Sequence, residues 1–133
     1  MNPIGIFAKT FVRPTLEENL DAVADHGLSV VQYNLACAGL PSLPERIEPS
    51  LARQIAAAAA SWGIAMAAVS GTFNMIDPVR ERRDAGMRRL DQLAGACALL
   101  GTGIITLCTG TRDPDDMWRG PGRGRGRAGR RRR

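Results

Sequence analysis

Several residue types that mark particular protein classes are scarce in this sequence. Its 133 residues include only three cysteines and one histidine. An odd number of cysteines without close spacing argues against a disulfide framework and against a zinc site. No run of about 18 apolar residues is present, so no membrane-spanning helix is predicted. Residues 1–14 also lack the features of a secretory signal, and we expect a cytoplasmic protein with no membrane partner.

Acidic residues are missing from the end of the chain. All 13 of them lie at or before Asp116, and residues 1–118 contain ten basic residues, which gives that part a net charge of −3. Residues 119–133 contain eight arginines and no acidic residue. The overall charge of +5 therefore belongs to the tail, and the longer part of the chain does not have the charge of a basic nucleic-acid-binding domain.

Four short apolar runs are spaced along the longer part of the chain. They lie at residues 4–8, 28–35, 64–69 and 104–108. None shows the strict alternation of apolar and polar residues that is typical of a strand with one solvated face. The runs therefore predict four strands of a parallel sheet that is covered on both faces.

Helical patterns separate the predicted strands, and each begins at a capping signal. Thr15 and Glu18 have the spacing of a capping box, and Ser50 is a predicted N-cap of the second helix. Asp77 and Asp113 each precede a proline, which predicts the starts of a third and a fourth helix. The predicted helix ends are Gly27, Gly63 and Gly101. The third helix is expected to bury a face that contains Val79, Met87, Leu90, Ala94 and Cys97.

The order of elements alternates strand and helix, with about 30 residues to each unit. This order fits an open doubly wound sheet or a TIM barrel. A doubly wound nucleotide-binding sheet has a glycine-rich turn after its first strand, whereas residues 9–14 read K-T-F-V-R-P and contain no glycine. A P-loop motif is also missing. We therefore predict an α/β fold of the (βα)8 TIM-barrel type, truncated to about its first four βα units, because eight units need about 250 residues.

Small polar side chains follow each predicted strand, where the chemistry of a barrel is located. The candidate substrate-binding residues come from four consecutive loops: Lys9, Asn34, Thr72, Asn74, Thr109 and Arg112. Neutral donors and acceptors that meet at one mouth suit a small polyhydroxylated substrate such as a sugar, and Lys9 or Arg112 would hold a phosphate or carboxylate. These residue types are also common in turns and helix caps, so a purely structural role stays open for each.

Two polar features near the helix ends have competing interpretations. Asp113, Asp115 and Asp116 are close enough in sequence for a metal site. Acidic residues around a proline are also typical of the first turn of a helix, and we favour that interpretation. His26 lies at a helix end on the side opposite the candidate loops, which favours a structural role.

Three segments contain the candidate loops in recognisable motifs. They read G-I-F-A-K-T-F at residues 5–11, S-G-T-F-N-M at 70–75 and I-T-L-C-T-G-T-R-D-P-D-D-M-W at 105–118. These segments resemble the sugar phosphate isomerase/epimerase family, whose members are xylose-isomerase-like TIM barrels. The resemblance implies isomerase or epimerase activity on a sugar or sugar phosphate, through proton transfer next to a carbonyl with carboxylates as acid and base. It also implies one divalent metal (Mn, Mg, Zn or Co), held by Glu, Asp, His and Glu residues from the second half of the barrel.

After Trp118 the sequence departs from that family. The family continues with further βα units, whereas residues 119–133 read R-G-P-G-R-G-R-G-R-A-G-R-R-R-R. The metal ligands and catalytic carboxylates that the resemblance implies would lie beyond this point. We therefore expect them to be absent from this chain, which would be a truncated and inactive form. Residues 1–118 are predicted to be the N-terminal half of the barrel and residues 119–133 a disordered basic tail.

Two origins of the tail remain open. Glycine, arginine, proline and alanine have GC-rich codons, so the tail has the composition of an out-of-frame ending in a GC-rich gene. The alternative is a genuine Arg-Gly tail on a non-enzymatic fragment, which would bind nucleic acid through phosphate contacts.

Two further expectations concern partners. An abasic-site endonuclease-like relative is an alternative enzyme class, which a strongly basic mouth would favour, but only Lys9 and Arg112 lie close to it. Half a barrel leaves strand edges open, and we expect self-association through those edges.

Overall fold

Strands and helices alternate through the computed structural model, which describes residues 2–119. The strands are β1 (Gly5–Phe7), β2 (Val30–Tyr33), β3 (Ala65–Ser70) and β4 (Ile105–Thr106). The helices are α1 (Leu16–Asp25), α2 (Pro49–Ser61) and α3 (Arg80–Leu100). Short 3-10 turns at Ala8–Thr10 and Leu35–Ala38 follow β1 and β2. All four predicted strands are present, although β1, β2 and β4 are shorter than their apolar runs.

The strands form one parallel sheet in the order β1-β2-β3-β4. Gly5 pairs with Val30, Val30 with Ala65, and Val69 with Ile105. Crossovers between parallel strands are right-handed in nearly all proteins, so a sheet whose order follows the chain has all its helices on one face. A doubly wound sheet has helices on both faces instead. The structure confirms an α/β fold that is consistent with a truncated TIM barrel.

The core lies between the helices and one face of the sheet. Val31, Tyr33 and Val69 point to this face, and each is at most 1% exposed. They belong to one apolar cluster with residues of all three helices, among them Leu20 of α1 and Leu93 of α3. The helices therefore cover this face of the sheet, and even the large side chain of Tyr33 is fully buried.

The opposite face of the sheet is open in the described part of the chain. We call it the uncovered face; the register places on it Gly5, Phe7, Val30, Gln32, Ala65, Ala68, Ser70 and Thr106. Ala67, at an irregularity in the pairing of β2 with β3, and Ile104, just before β4, lie beside them. Phe7 is 65% exposed and Ile104 59% exposed. The prediction of a sheet covered on both faces is wrong for residues 2–119, because a partial barrel has helices only on its outer face.

The start of α1 follows the predicted capping signal. The backbone N–H of Glu18 donates to Thr15 Oγ1 at 3.2 Å, and the Thr15 hydroxyl donates to the Glu18 carboxylate at 3.1 Å. The chain leaves the helix at Gly27, whose φ of +69° is a left-handed conformation that glycine adopts without strain. The local sequence therefore determines both ends of this helix.

The starts of the other two helices differ from the predicted ones. Ser50 is not the N-cap of α2, because the helix begins at Pro49 with Glu48 in the N-cap position. Proline suits the first helical position, since its φ is fixed near the helical value and it has no N–H to satisfy. Asp77 acts in the turn before α3, where its Oδ1 accepts a hydrogen bond from the backbone N–H of Val79 at 2.8 Å.

The buried face of α3 is also different from the predicted one. Met87 is 51% exposed, whereas Leu93 is fully buried and Cys97 is buried as expected. Gly86 gives the physical reason, because a Cβ atom there would lie 2.1 Å from the ring of Phe73. The missing side chain lets the Phe73 ring of the loop after β3 lie directly on the helix, so the buried face includes Gly86 together with Leu93.

No helix follows β4 within residues 2–119, although Asp113 predicts one. Its carboxylate does accept hydrogen bonds like those of a helix cap, from the backbone N–H groups of Asp115 and Asp116, at 2.9 and 3.1 Å. These bonds stabilise a turn that leads to Trp118. The predicted disordered tail lies outside the described residues from residue 120 onward. In the described part, no helix is long and apolar enough to cross a bilayer.

Candidate functional site

A cavity of about 550 Å³ lies at the carboxyl ends of the strands. We call it the mouth cavity; loops after all four strands contribute to its lining: Phe7, Lys9, Thr10, Gln32, Asn34, Ser42, Ser70, Thr72, Met117 and Trp118. This is the position at which TIM barrels carry their active sites. A larger cavity of about 740 Å³ lies along α3, beside the ion pair between Arg89 and Glu45. Its lining residues come from α3 and the loop after β2, and none of them belongs to a strand. We therefore consider the mouth cavity to be the candidate site.

Three of the predicted substrate-binding residues meet in the mouth cavity. Lys9, Asn34 and Thr72 line it from the loops after β1, β2 and β3. Thr109 and Arg112 are exposed and do not line it. The structure therefore brings half of the predicted set together, and the binding role of all six residues stays a prediction.

Asn74, the sixth predicted residue, connects two loops of the site. Its Nδ2 donates to the carbonyl oxygen of Thr111 at 2.7 Å, and its Oδ1 accepts from the backbone N–H of Thr111 at 3.1 Å. Gly110 leaves room for this pair, since a Cβ atom there would lie 2.1 Å from Asn74 Oδ1. These contacts make Asn74 a positioning residue that holds the loop after β4 against the loop after β3.

Asn19 holds the turn that carries Lys9. Its side chain is buried in α1, and its Nδ2 donates to the carbonyl oxygens of Ala8 and Phe11, at 2.9 and 2.7 Å. These two carbonyls flank Lys9 and Thr10, so one amide group fixes both sides of the turn. The sequence prediction missed this residue, although an asparagine one helical turn after the buried Leu16 was an available signal.

Gln32 and Ser70 also line the cavity and were not among the predicted ligands. Gln32 Nε2 donates to Thr106 Oγ1 at 2.6 Å across β3, and this bond orients the amide of Gln32 in the cavity lining. Ser70 Oγ donates to Thr72 Oγ1 at 3.4 Å. A polar residue within an otherwise apolar strand, such as Gln32 between Val31 and Tyr33, was the signal that could have identified this pair.

The mouth cavity has one cation and no acid among its lining residues. Lys9 supplies the positive charge, and the described lining contains no Asp, Glu or His. Burial raises the pKa of the nearby Cys37 thiol, more than the hydrogen bond from Asn34 and the charge of Lys9 lower it. A reactive thiolate is therefore not expected there at neutral pH. The lining residues can bind and orient a ligand, but they include no strong base.

The described residues do not fit a divalent metal. Within residues 2–119, no three His, Cys, Asp or Glu side chains are grouped so as to hold an ion. The Asp113 carboxylate accepts hydrogen bonds from the backbone of its own turn and forms an ion pair with Arg119 at 2.8 Å. The backbone N–H of Asp115, more than that of Asp116 or the charge of Arg119, lowers the pKa of this carboxyl. We derive no chemical step through a metal from these residues.

Comparison with known proteins supports the fold. No protein-family model matches the chain, and no curated protein matches its sequence. In structure the chain is similar to 3-keto-D-glucoside 4-epimerase YcjR from E. coli in its apo form, with a TM-score of 0.62 and 16% sequence identity. The match covers 83% of this chain and 39% of that one. The likeness shows a sugar-epimerase-like fold, of which this chain spans well under half the length.

Proposed function

We propose that this chain binds a sugar in the mouth cavity and belongs to a barrel of the sugar isomerase/epimerase type. The observation that carries the proposal is the chemistry of the lining. Hydroxyl groups of a sugar need donors and acceptors together, and the side chains of Gln32, Asn34, Ser70 and Thr72 supply both. The aromatic ring of Trp118 offers an apolar surface to the C–H face of the same ligand.

The reaction class rests on the motifs and on the fold likeness. The similar solved structure is an epimerase named for a keto-glucoside, and the sequence resemblance implies proton transfer next to a carbonyl. In complete family members a divalent metal polarises that carbonyl. The residues of this chain would bind and orient the sugar, because the lining of the mouth cavity contains neither a carboxylate nor a histidine.

The charge of Lys9 would favour binding of a phosphorylated sugar over a neutral one. As the cation of the mouth cavity, it is placed to pair with a phosphate or carboxylate at one end of the ligand. A single cation does not favour the alternative of an abasic-site endonuclease, since such an enzyme must bind several phosphates of a nucleic-acid backbone. We therefore propose a small sugar, with or without one anionic group, as the ligand.

Tryptophan fluorescence gives a test, because the two tryptophans lie at opposite ends of the sheet. Trp118 lines the mouth cavity, whereas Trp62 follows α2 at the far end. In a Trp62→Phe variant, titration with keto-sugars and sugar phosphates is expected to give a saturable change in emission. In a matched Trp118→Phe variant the same ligands should give no change. A Trp62→Phe protein that responds to no sugar would overturn the proposal.

The polar contacts can be tested in the same assay. Thr72→Val keeps the shape of the side chain but removes its hydroxyl, and we expect about tenfold weaker sugar binding from the loss of one hydrogen bond. Lys9→Met should weaken binding of a sugar phosphate more than that of the neutral sugar. Arg88→Met, on the outer side of α3, is the charge-matched control and should change neither affinity.

A further inference from the structure

The uncovered face is a largely apolar surface that extends beyond the mouth cavity. Ala65 and Ala67 are exposed there, as are the larger side chains of Phe7 and Ile104. A hollow of about 370 Å³ lies between the strands on this face, with Gly5, Val30 and Ala67 among its lining residues. Monomeric proteins in water rarely leave a contiguous apolar surface of this kind open, so a covering partner is expected.

The two edges of the sheet restrict what the partner can be. In the described part of the chain, β1 pairs only with β2, and β4 pairs only with β3. Both edge strands run in the same direction, because all pairings in the sheet are parallel. A two-fold axis parallel to the strands would place β4 of one copy beside β1 of the other, again as a parallel pair. Four strands from each copy make eight, the number that closes a barrel filled by side chains.

The composition of residues 120–133 does not suit an apolar cover for this face. Residues 120–133 contain arginine, glycine, one proline and one alanine, and so have no large apolar side chain to place against Phe7 or Ile104. A second copy, in contrast, brings an identical apolar face and two complementary edges. The mouth cavity also shares Phe7 and Gln32 with the hollow on the uncovered face, so it opens toward this partner.

We propose that two copies of this chain associate through their uncovered faces and strand edges, β4 beside β1 of the partner, to form one closed eight-stranded barrel. The partner copy would then supply the missing side of each mouth cavity. This association is independent of the proposed ligand: sugar binding is read from Trp118 fluorescence, whereas assembly is read from mass, and either result can fail alone.

The first test is the mass of the purified 133-residue chain in solution. Light scattering after size exclusion should give twice the chain mass of 14.3 kDa, with a shift to the single mass on dilution. Ile104→Glu places a charge on the uncovered face outside the mouth cavity and should weaken the dimer by at least about tenfold. Trp62→Glu, which places the same charge at an exposed position at the end of α2, should leave the mass unchanged.

The second test determines which edges meet. Cys108 is changed to alanine, because it is the least buried of the three free cysteines, and new cysteines are placed at Ile4 and Ile104 before the two edge strands. A short bismaleimide should link two chains efficiently in the Ile4→Cys, Ile104→Cys double variant and poorly in either single variant. Efficient linking of the single Ile104→Cys variant would show β4 beside β4 and overturn the closed barrel.

Two other outcomes would also overturn the proposal. A monomer with a cooperative thermal transition at high concentration would show that the uncovered face needs no second copy. A ladder of species larger than two chains would show open-ended edge pairing instead of closure. Circular dichroism of each variant, compared with the unmodified chain, shows that a change in mass does not come from unfolding.

Discussion

The two faces of the sheet have similar side chains in different surroundings. On the helix-covered face, Val31 and Val69 are at most 1% exposed, whereas the equally apolar Ile104 on the uncovered face is mostly exposed. The mouth cavity lies where the uncovered face meets the strand ends. The comparison shows a division of roles: the covered face holds the fold together, and the uncovered face is available for a ligand and a partner.

The largest expected effect comes from the covered face. Leu93→Ala removes a fully buried side chain from the core and should lower the free energy of unfolding by about 3 kcal/mol, from lost apolar burial and the cavity left behind. Ile104→Ala makes a similar truncation on the uncovered face and should cost less than about 1 kcal/mol in dilute, monomeric protein. Urea unfolding of both variants measures the difference, and equal losses would contradict the division.

Asn19 connects the covered face to the mouth cavity. Asn19→Ala removes the amide donor from the Phe11 carbonyl and one of the two donors from the Ala8 carbonyl, which keeps the backbone N–H of Phe11. The loss should cost about 2 kcal/mol in the free energy of unfolding. Because the same turn carries Lys9, the variant should also bind a sugar phosphate more weakly, while a neutral sugar is affected less. Denaturation and the Trp118 titration measure the two effects. A stable variant with normal affinity would show that the turn does not need this amide.

Two glycines of α3 provide a matched pair. Gly86→Ala would place a Cβ atom against the Phe73 ring, and we expect a loss of about 1–2 kcal/mol from overpacking. At Gly95 a Cβ atom meets nothing within 4 Å, so Gly95→Ala should stabilise the helix by about 0.5–1 kcal/mol. Thermal unfolding distinguishes the signs. A stabilising Gly86→Ala would mean that the loop after β3 does not pack on the helix.

The smallest effect concerns the turn at Asp113. Its pKa is lowered in the folded chain, chiefly by the backbone N–H of Asp115, so the charged form contributes stability above the unfolded pKa of about 3.9. That contribution is lost as the pH falls through the lower folded pKa. Asp113→Asn keeps an acceptor oxygen but removes the charge, so its stability deficit should be present at neutral pH and shrink below about pH 4. A loss of stability in Asp113→Asn that does not change with pH would show that the hydrogen-bond geometry of the side chain, and not its charge, stabilises the turn.

The sequence predicted those features that depend on local patterns. Four apolar runs spaced by helical segments predicted the strand order, and the spacing of Thr15 and Glu18 predicted the start of α1. The predicted buried face of α3 was wrong. The contact between Gly86 and Phe73 joins residues of different elements, so it leaves no periodic pattern in the sequence of the helix. The prediction of a fourth helix was wrong for the described residues, although Asp113 accepts the hydrogen bonds from Asp115 and Asp116 that a helix cap accepts.

The candidate site was predicted in its position but only partly in its members. Strand ends locate the mouth of a barrel, so Lys9, Asn34 and Thr72 could be selected from the sequence. Asn74 belongs to the same loops but is occupied by its bonds to Thr111, which only the folded arrangement reveals. The position of Asn19 one helical turn after Leu16 indicates that it is buried, but its bonds to the turn after β1 depend on how α1 packs against that turn.

One measurement tests the central claim most directly: that the mouth cavity at the open side of the sheet is the ligand site. Amide chemical shifts of the isotope-labelled chain are recorded during titration with a keto-sugar and its phosphate. We predict saturable shifts at Gln32, Asn34 and Thr72, with the Lys9 turn responding more to the phosphate. Saturable shifts confined to Arg88 and Arg89 beside the larger cavity of α3, or no shifts with any sugar, would contradict the account.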